Sequence, residues 1–135
     1  NDVDSLEKAY EIIEDCLGIR AIQMYYVPEK LEYKDIIIDK GFARIKLTYE
    51  GKEAYFYQVS KEKANSTGYN SDREIYKEVH NRYLQKNIEI YKNILDDGNI
   101  EFSAQYMNDS GFYCLIGFIE ENEFNKLVKN LNYFN

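Results

Sequence analysis

The chain has 135 residues, a hydrophobic fraction of 44%, a charged fraction of 30% and a formal net charge of −7. That balance excludes a disordered chain, and the length suffices for one domain with a single buried core. Its 17 Lys and Arg residues, against 24 Asp and Glu, are scattered in ones and twos, so no basic stripe exists to neutralise nucleic acid or an anionic membrane surface.

The spacing predicts a helix over 4–17. Leu6, Tyr10, Ile13 and Leu17 share one face, flanked by Ala9 and Cys16, and Gly18 supplies a left-handed stop. Asp4 with Glu7 three residues on resembles a capping box. From Ile19 the period becomes alternating, with Ile22, Met24 and Tyr26 pointing one way before Pro28 ends the segment. A second short strand is expected over 33–39, and Gly41 then turns the chain into a long hairpin. One arm alternates Ala43, Ile45, Leu47 and Tyr49 with Arg44, Lys46 and Thr48. The other alternates Tyr55, Tyr57 and Val59 with Ala54, Phe56 and Gln58, across a turn at Glu50-Gly51-Lys52. Both sets on the second arm carry aromatics, so its parity does not say which face is covered.

Residues 61–73 read as a polar loop; in 75–84 Ile75, Val79 and Tyr83 also fit a helical face, and the segment is taken as a strand that extends the neighbouring ones. Residues 88–95, 100–107 and 112–119 form a meander whose turns, Asp96-Asp97-Gly98-Asn99 and Asn108-Asp109-Ser110-Gly111, tolerate positive φ. The chain then passes almost directly into a helix with Phe124, Leu127, Val128 and Leu131 at i, i+3, i+4 and i+7. The expected class is α+β: an N-terminal helix, an antiparallel sheet of about seven strands built from hairpins and a meander, and a C-terminal helix packed on the sheet.

Little in this order points to chemistry. His80 has no nucleophile or base beside it in sequence, and no nucleophile-elbow or phosphate-cradling glycine motif occurs. Asp96-Asp97 reads as a hairpin tip, and Glu120-Glu121-x-Glu123 as favourable negative charge in the first turn of a helix. Cys16 and Cys114 lack redox or zinc spacing and read either as two buried thiols or as one disulfide. Asn65-Ser66-Thr67 and Asn108-Asp109-Ser110 match the glycosylation pattern, as chance allows in an Asn-rich chain. The expectation is therefore no catalytic residue, no cofactor and no metal.

The 14 Tyr and 7 Phe residues suit both half-buried strands and contact surfaces. If a contact surface exists, Tyr55, Tyr57 and Tyr69 are its candidates. No apolar run approaches the roughly 20 residues that cross a bilayer, and no signal peptide is visible. The first residue is Asn1, not Met, so residues 1–135 read as one domain excised from a longer protein.

The ending Tyr113-x-Leu115-x-Gly117, then Glu120-Glu121-x-x-Phe124-x-Lys126-Leu127-Val128 and Leu131, resembles the bacterial domain of unknown function 4367. The Ala9-Tyr10 helix ending Leu17-Gly18, the Tyr25-x-Val27-Pro28 step and the Tyr49-x-Gly51 hairpin agree in order, and Tyr106 stands where Trp is more usual. The resemblance implies a PsbP-like sheet flanked by helices, on the outer side of a Gram-positive membrane after one spanning segment, and carries over no catalytic residue. The reading is a non-catalytic extracytoplasmic binding or sensory module, membrane-anchored through a segment outside this chain, whose partner is a protein or small ligand. The alternative is a cytosolic acidic protein of the immunity or inhibitor type, covering a basic partner; an enzyme is a third reading.

Overall fold

The computed structural model describes residues 3–66 and 73–135. In chain order the elements are α1 (Leu6–Leu17), β1 (Ile22–Met24), β2 (Leu31–Asp39), β3 (Phe42–Tyr49), β4 (Lys52–Ser60), α2 (Lys61–Ser66), β5 (Lys77–Asn81), β6 (Lys86–Ile94), β7 (Ile100–Met107), β8 (Gly111–Gly117), α3 (Glu121–Lys129) and β9 (Leu131–Tyr133). Seven strands form one antiparallel sheet in the order β2-β3-β4-β8-β7-β6-β5, and β1 pairs with β9 in a separate ribbon. The expected α+β class and both flanking helices are present. The hairpin β3–β4 turns at Glu50 and Gly51, both at positive φ, the backbone a two-residue hairpin needs. The closing meander β5–β8 docks onto that hairpin through the β4–β8 pair, Phe56 opposite Leu115.

One face of the sheet is apolar because the period-two pattern puts Ile45, Leu47, Phe56, Leu115, Ala104 and Ile90 on it, all essentially inaccessible. α1 lies over β2, β3 and β4, contributing Ala9, Tyr10 and Ile13 to the core. α3 lies over β5 and β7 and buries Phe124, Leu127 and Val128. Burying each large side chain stabilises by about 1.5–3 kcal/mol. The β1–β9 ribbon contributes Ile22 and Leu131 to the same core, beside Phe56 and Leu115.

Two buried amides fasten this layer. Gln58, fully inaccessible at an inner position of β4, accepts from the Ile22 N–H (3.0 Å) and donates to the Ile22 carbonyl (2.7 Å). Its side chain thus takes the place of a neighbouring strand for β1. Asn81 donates to the Val128 and Leu131 carbonyls (2.8 Å each) and accepts from the Tyr83 and Leu84 N–H groups. That one side chain satisfies both the β5–β6 turn and the end of α3.

Several expectations need correction. The cap of α1 is Ser5, whose hydroxyl accepts from the Lys8 N–H (3.2 Å), while Asp4 makes an i,i+4 ion pair with Lys8. Residues 61–66 of the expected loop are helical, with Ser60 Oγ accepting from the Lys63 N–H and Ala64 buried. The strand expected over 75–84 is confined to β5, and Tyr26 lies beyond the end of β1. β9 was not foreseen at all. The two thiols are free, Cys16 exposed and Cys114 half-buried, so neither a disulfide nor a pair of buried thiols describes them.

Candidate functional site

The sheet face turned away from α1 and α3 carries the other parity of every strand. On β3 and β4 this places Phe42, Arg44, Lys46, Tyr55 and Tyr57 in adjacent rows, Arg44 opposite Tyr57 and Lys46 opposite Tyr55. All five are half-buried. The rings lie side by side, with centroids 5.9 Å apart for Phe42–Tyr57 and 6.0 Å for Tyr55–Tyr57. The Arg44 guanidinium sits 4.8 Å from the Tyr55 centroid, within cation–π range. Glu53 closes the row: it accepts from the Tyr55 hydroxyl and pairs with Lys46 (3.4 Å), and these two contacts hold its carboxyl below the usual range. The same hydrogen bond raises the Tyr55 hydroxyl above its ordinary value. The buried Arg44 Nε has no acceptor among the described residues.

Towards β6 this outer face changes character. Tyr91 and Ser103 are buried on it, and Arg73 lies 4.6 Å from the Tyr91 ring centroid. Cys114, opposite Tyr57, has its thiol pushed up to about 12 by burial. Of the three tyrosines singled out from the sequence, Tyr55 and Tyr57 therefore stand together on one surface, and Tyr69 lies outside the described residues.

A second feature, invisible in the sequence, lies where the β3–β4 turn, the β6–β7 turn and the N-terminus of α3 meet. Two clefts of about 220 and 380 Å³ share Tyr49, Glu50 and Glu120. The first is lined by Pro28, Glu29, Lys30 and Glu123; the second extends over Phe102, Phe118 and Ile100 to Glu121. Glu120 caps α3 by accepting from the Asn122 and Glu123 N–H groups. Glu123 accepts from the Tyr26 hydroxyl (2.6 Å), which raises that hydroxyl's pKa. Glu121 pairs with Lys77 (2.7 Å) and accepts from Tyr76, and is held below the usual carboxylate range chiefly by the Lys77 hydrogen bond. A third cleft of about 400 Å³ lies at the opposite end of the sheet, lined by Cys16, Lys40 and Lys63.

The polar residues weighed from the sequence have local roles. His80 is exposed and hydrogen-bonds Asn87 across β5–β6 (2.8 Å). Asp97 accepts from the Asn99 backbone and amide within its turn, and Asn108 accepts from the Ser110 and Gly111 N–H groups. Among the described residues no three His, Cys, Asp or Glu side chains are grouped to hold a metal ion. No helix among them is long and apolar enough to cross a membrane.

Several of the residues that carry the family resemblance are packing residues, although Tyr25 and Val27 are exposed and Glu120 and Glu121 line a cleft. Tyr113, Leu115 and Gly117 face the helices, and the Tyr113 hydroxyl donates to the Arg20 carbonyl (2.6 Å). Phe124, Leu127, Val128 and Leu131 are all buried. Comparison with known proteins finds no match among curated proteins and none among solved structures. The sequence model of the domain of unknown function DUF4367 matches residues 21–131, from β1 through the first residue of β9. The chain belongs to that family.

Proposed function

We propose that this domain is a non-catalytic binding or sensory module of a membrane-anchored bacterial protein, displayed outside the cytoplasm, whose contact surface includes the outer rows of β3 and β4. The observation that carries the reading is the side-by-side array of Phe42, Tyr57, Tyr55 and Arg44 on the sheet face opposite the helices. Tyrosine and arginine are the side chains most enriched where protein contacts concentrate their energy. Glu120, Asp97, His80 and Glu121 are engaged in a helix cap, a turn, a cross-strand hydrogen bond and an ion pair, which favours recognition over bond-making chemistry.

Photo-crosslinking tests the surface. A benzophenone amino acid at position 57 of the full-length protein, in its own cells, should give a discrete adduct that is absent when the same group replaces the exposed Glu11. Equal adducts from both positions, or none from position 57, would contradict the reading. Cys16 tests the location, because it is exposed while Cys114 is half-buried within the sheet. A membrane-impermeant maleimide should label Cys16 on intact cells. Labelling only after lysis would instead favour the cytosolic reading, an acidic domain covering a basic partner.

A further inference from the structure

α3 does not cover the whole inner face. At the end bearing the β3–β4 and β6–β7 turns, apolar side chains stay open to solvent in front of its N-terminus. Ile94 and Ile100, paired across β6–β7, are exposed, as is Tyr76. The Tyr76 ring lies 6.1 Å from that of Phe102, which forms the floor of the 380 Å³ cleft. The strip continues through Tyr49 into the 220 Å³ cleft, making one groove across this end of the molecule.

The rim of the groove is anionic. Among the described lining residues, Glu29, Glu50, Glu120, Glu121 and Glu123 stand against Lys30 and Lys52, and Lys77, beside the groove, pairs with Glu121. Lys30 is paired with Glu50 (3.3 Å), and Lys52 is bonded to Asn99 (2.7 Å) and lies over the Phe118 ring. An apolar occupant alone would leave this charge uncompensated, and an acidic one would be repelled. A small cation would leave the apolar strip in water. We infer that the groove receives an extended, basic polypeptide segment of a partner protein, its aliphatic or aromatic side chains on the exposed Ile94, Ile100 and Tyr76 and its Lys or Arg side chains against the glutamate rim. Complementary charge sets register and speeds encounter, while the exposed apolar strip adds hydrophobic contact.

The inference rests on the reading of the domain as a binding module, but not on the tyrosine row, and the test separates the two. A phage-displayed library of random twelve-residue peptides is selected on the immobilised domain. The most enriched peptide is then synthesised with a fluorescent label and titrated by anisotropy at 50 and 300 mM salt. Enriched peptides should be net basic and carry at least one large apolar residue, and should bind more weakly at the higher salt. Ile100→Ser should weaken binding at least tenfold. Glu50→Gln with Glu123→Gln should weaken it several-fold and flatten its salt dependence, and Tyr55→Ala with Tyr57→Ala should leave it within twofold. Cooperative thermal melts with midpoints well above the assay temperature establish that the variants fold. Acidic or neutral consensus peptides, no enrichment, or indifference to both groove variants would overturn the inference. Peptides lost only with the tyrosine pair would overturn it while leaving the binding-module reading standing. Self-association abolished by Ile100→Ser would instead assign the groove to a second copy of the chain.

Discussion

Three consecutive residues of β4 show how differently the two faces of this sheet are built. Phe56 is fully inaccessible beneath the helix layer, whereas Tyr55 and Tyr57 on either side of it point outwards and are half-buried. The inner face is closed by apolar volume and by amides that satisfy backbone groups; the outer rows of β3–β4 are held by ring edges, a guanidinium and one ion pair. Burial without polar compensation serves stability, while aromatic and cationic groups left half in solvent can still contribute to a second contact. Tyr113, Leu115 and Gly117, three of the residues that carry the family resemblance, belong to the inner face.

The largest effect should come from breaking an amide fastener of the inner layer. Asn81→Ala would strand two carbonyls of the α3–β9 junction and two N–H groups of the β5–β6 turn, each costing about 1–3 kcal/mol if left unsatisfied. Urea denaturation should therefore show a loss of at least about 3 kcal/mol; a loss below about 1 kcal/mol would mean that water replaces the amide and the fastening role is wrong. Next comes overpacking of the same face. A Cβ at Gly117 would sit 2.5 Å from the Ala54 Cβ and 3.1 Å from its Cα, so Gly117→Ala should cost about 1–3 kcal/mol. Thermal melts should show the shift. The exposed Gly98, at a turn with open space around it, should give no comparable packing effect, although its positive φ makes any side chain there costly.

The outer face offers a pH test. Burial raises the Cys114 thiol from an ordinary value near 9 to about 12, so the folded state favours the neutral thiol. A raised folded pKa contributes stability that is fully present below about pH 9 and is lost as pH rises towards 12. Wild type should therefore lose more stability than Cys114→Ala between pH 8 and pH 10.5. Equal losses would place the alkaline effect on the buried tyrosines alone, since Tyr10 and Tyr106 are also raised by burial. Ellman's reagent should modify Cys16 quickly and Cys114 only on unfolding.

Much of the inner layer was legible because it obeys simple periods: Tyr10 and Ile13 in α1, Ile45 and Leu47 in β3, and Phe124, Leu127 and Val128 in α3. Leu131, expected on the same helical stripe, lies past the end of α3 as the first residue of β9. What escaped depends on tertiary partners. The parity of β4 was undecidable because Phe56 and Tyr57 are equally aromatic, and only the placement of the helices distinguishes them. Gln58 looks out of place in a core until β1 is laid against it. β9 is three residues long, too short for any period, and among the described side chains of α2 only Ala64 is buried to mark its inner side. The end groove is assembled from turns distant in sequence, Glu50 and Gly98 with the α3 cap, so no local signal could announce it.

The division of labour between the two faces is tested most directly on β4 itself, by urea denaturation of Phe56→Ala beside the pair Tyr55→Ser with Tyr57→Ser. Phe56→Ala should cost about 3–5 kcal/mol, as truncation of a fully buried ring does. The double tyrosine variant should cost about 1 kcal/mol, the order expected of cross-strand pairs on a partly solvated face. A tyrosine pair that costs as much as Phe56 would show that these rings are core rather than contact surface, and would contradict the account.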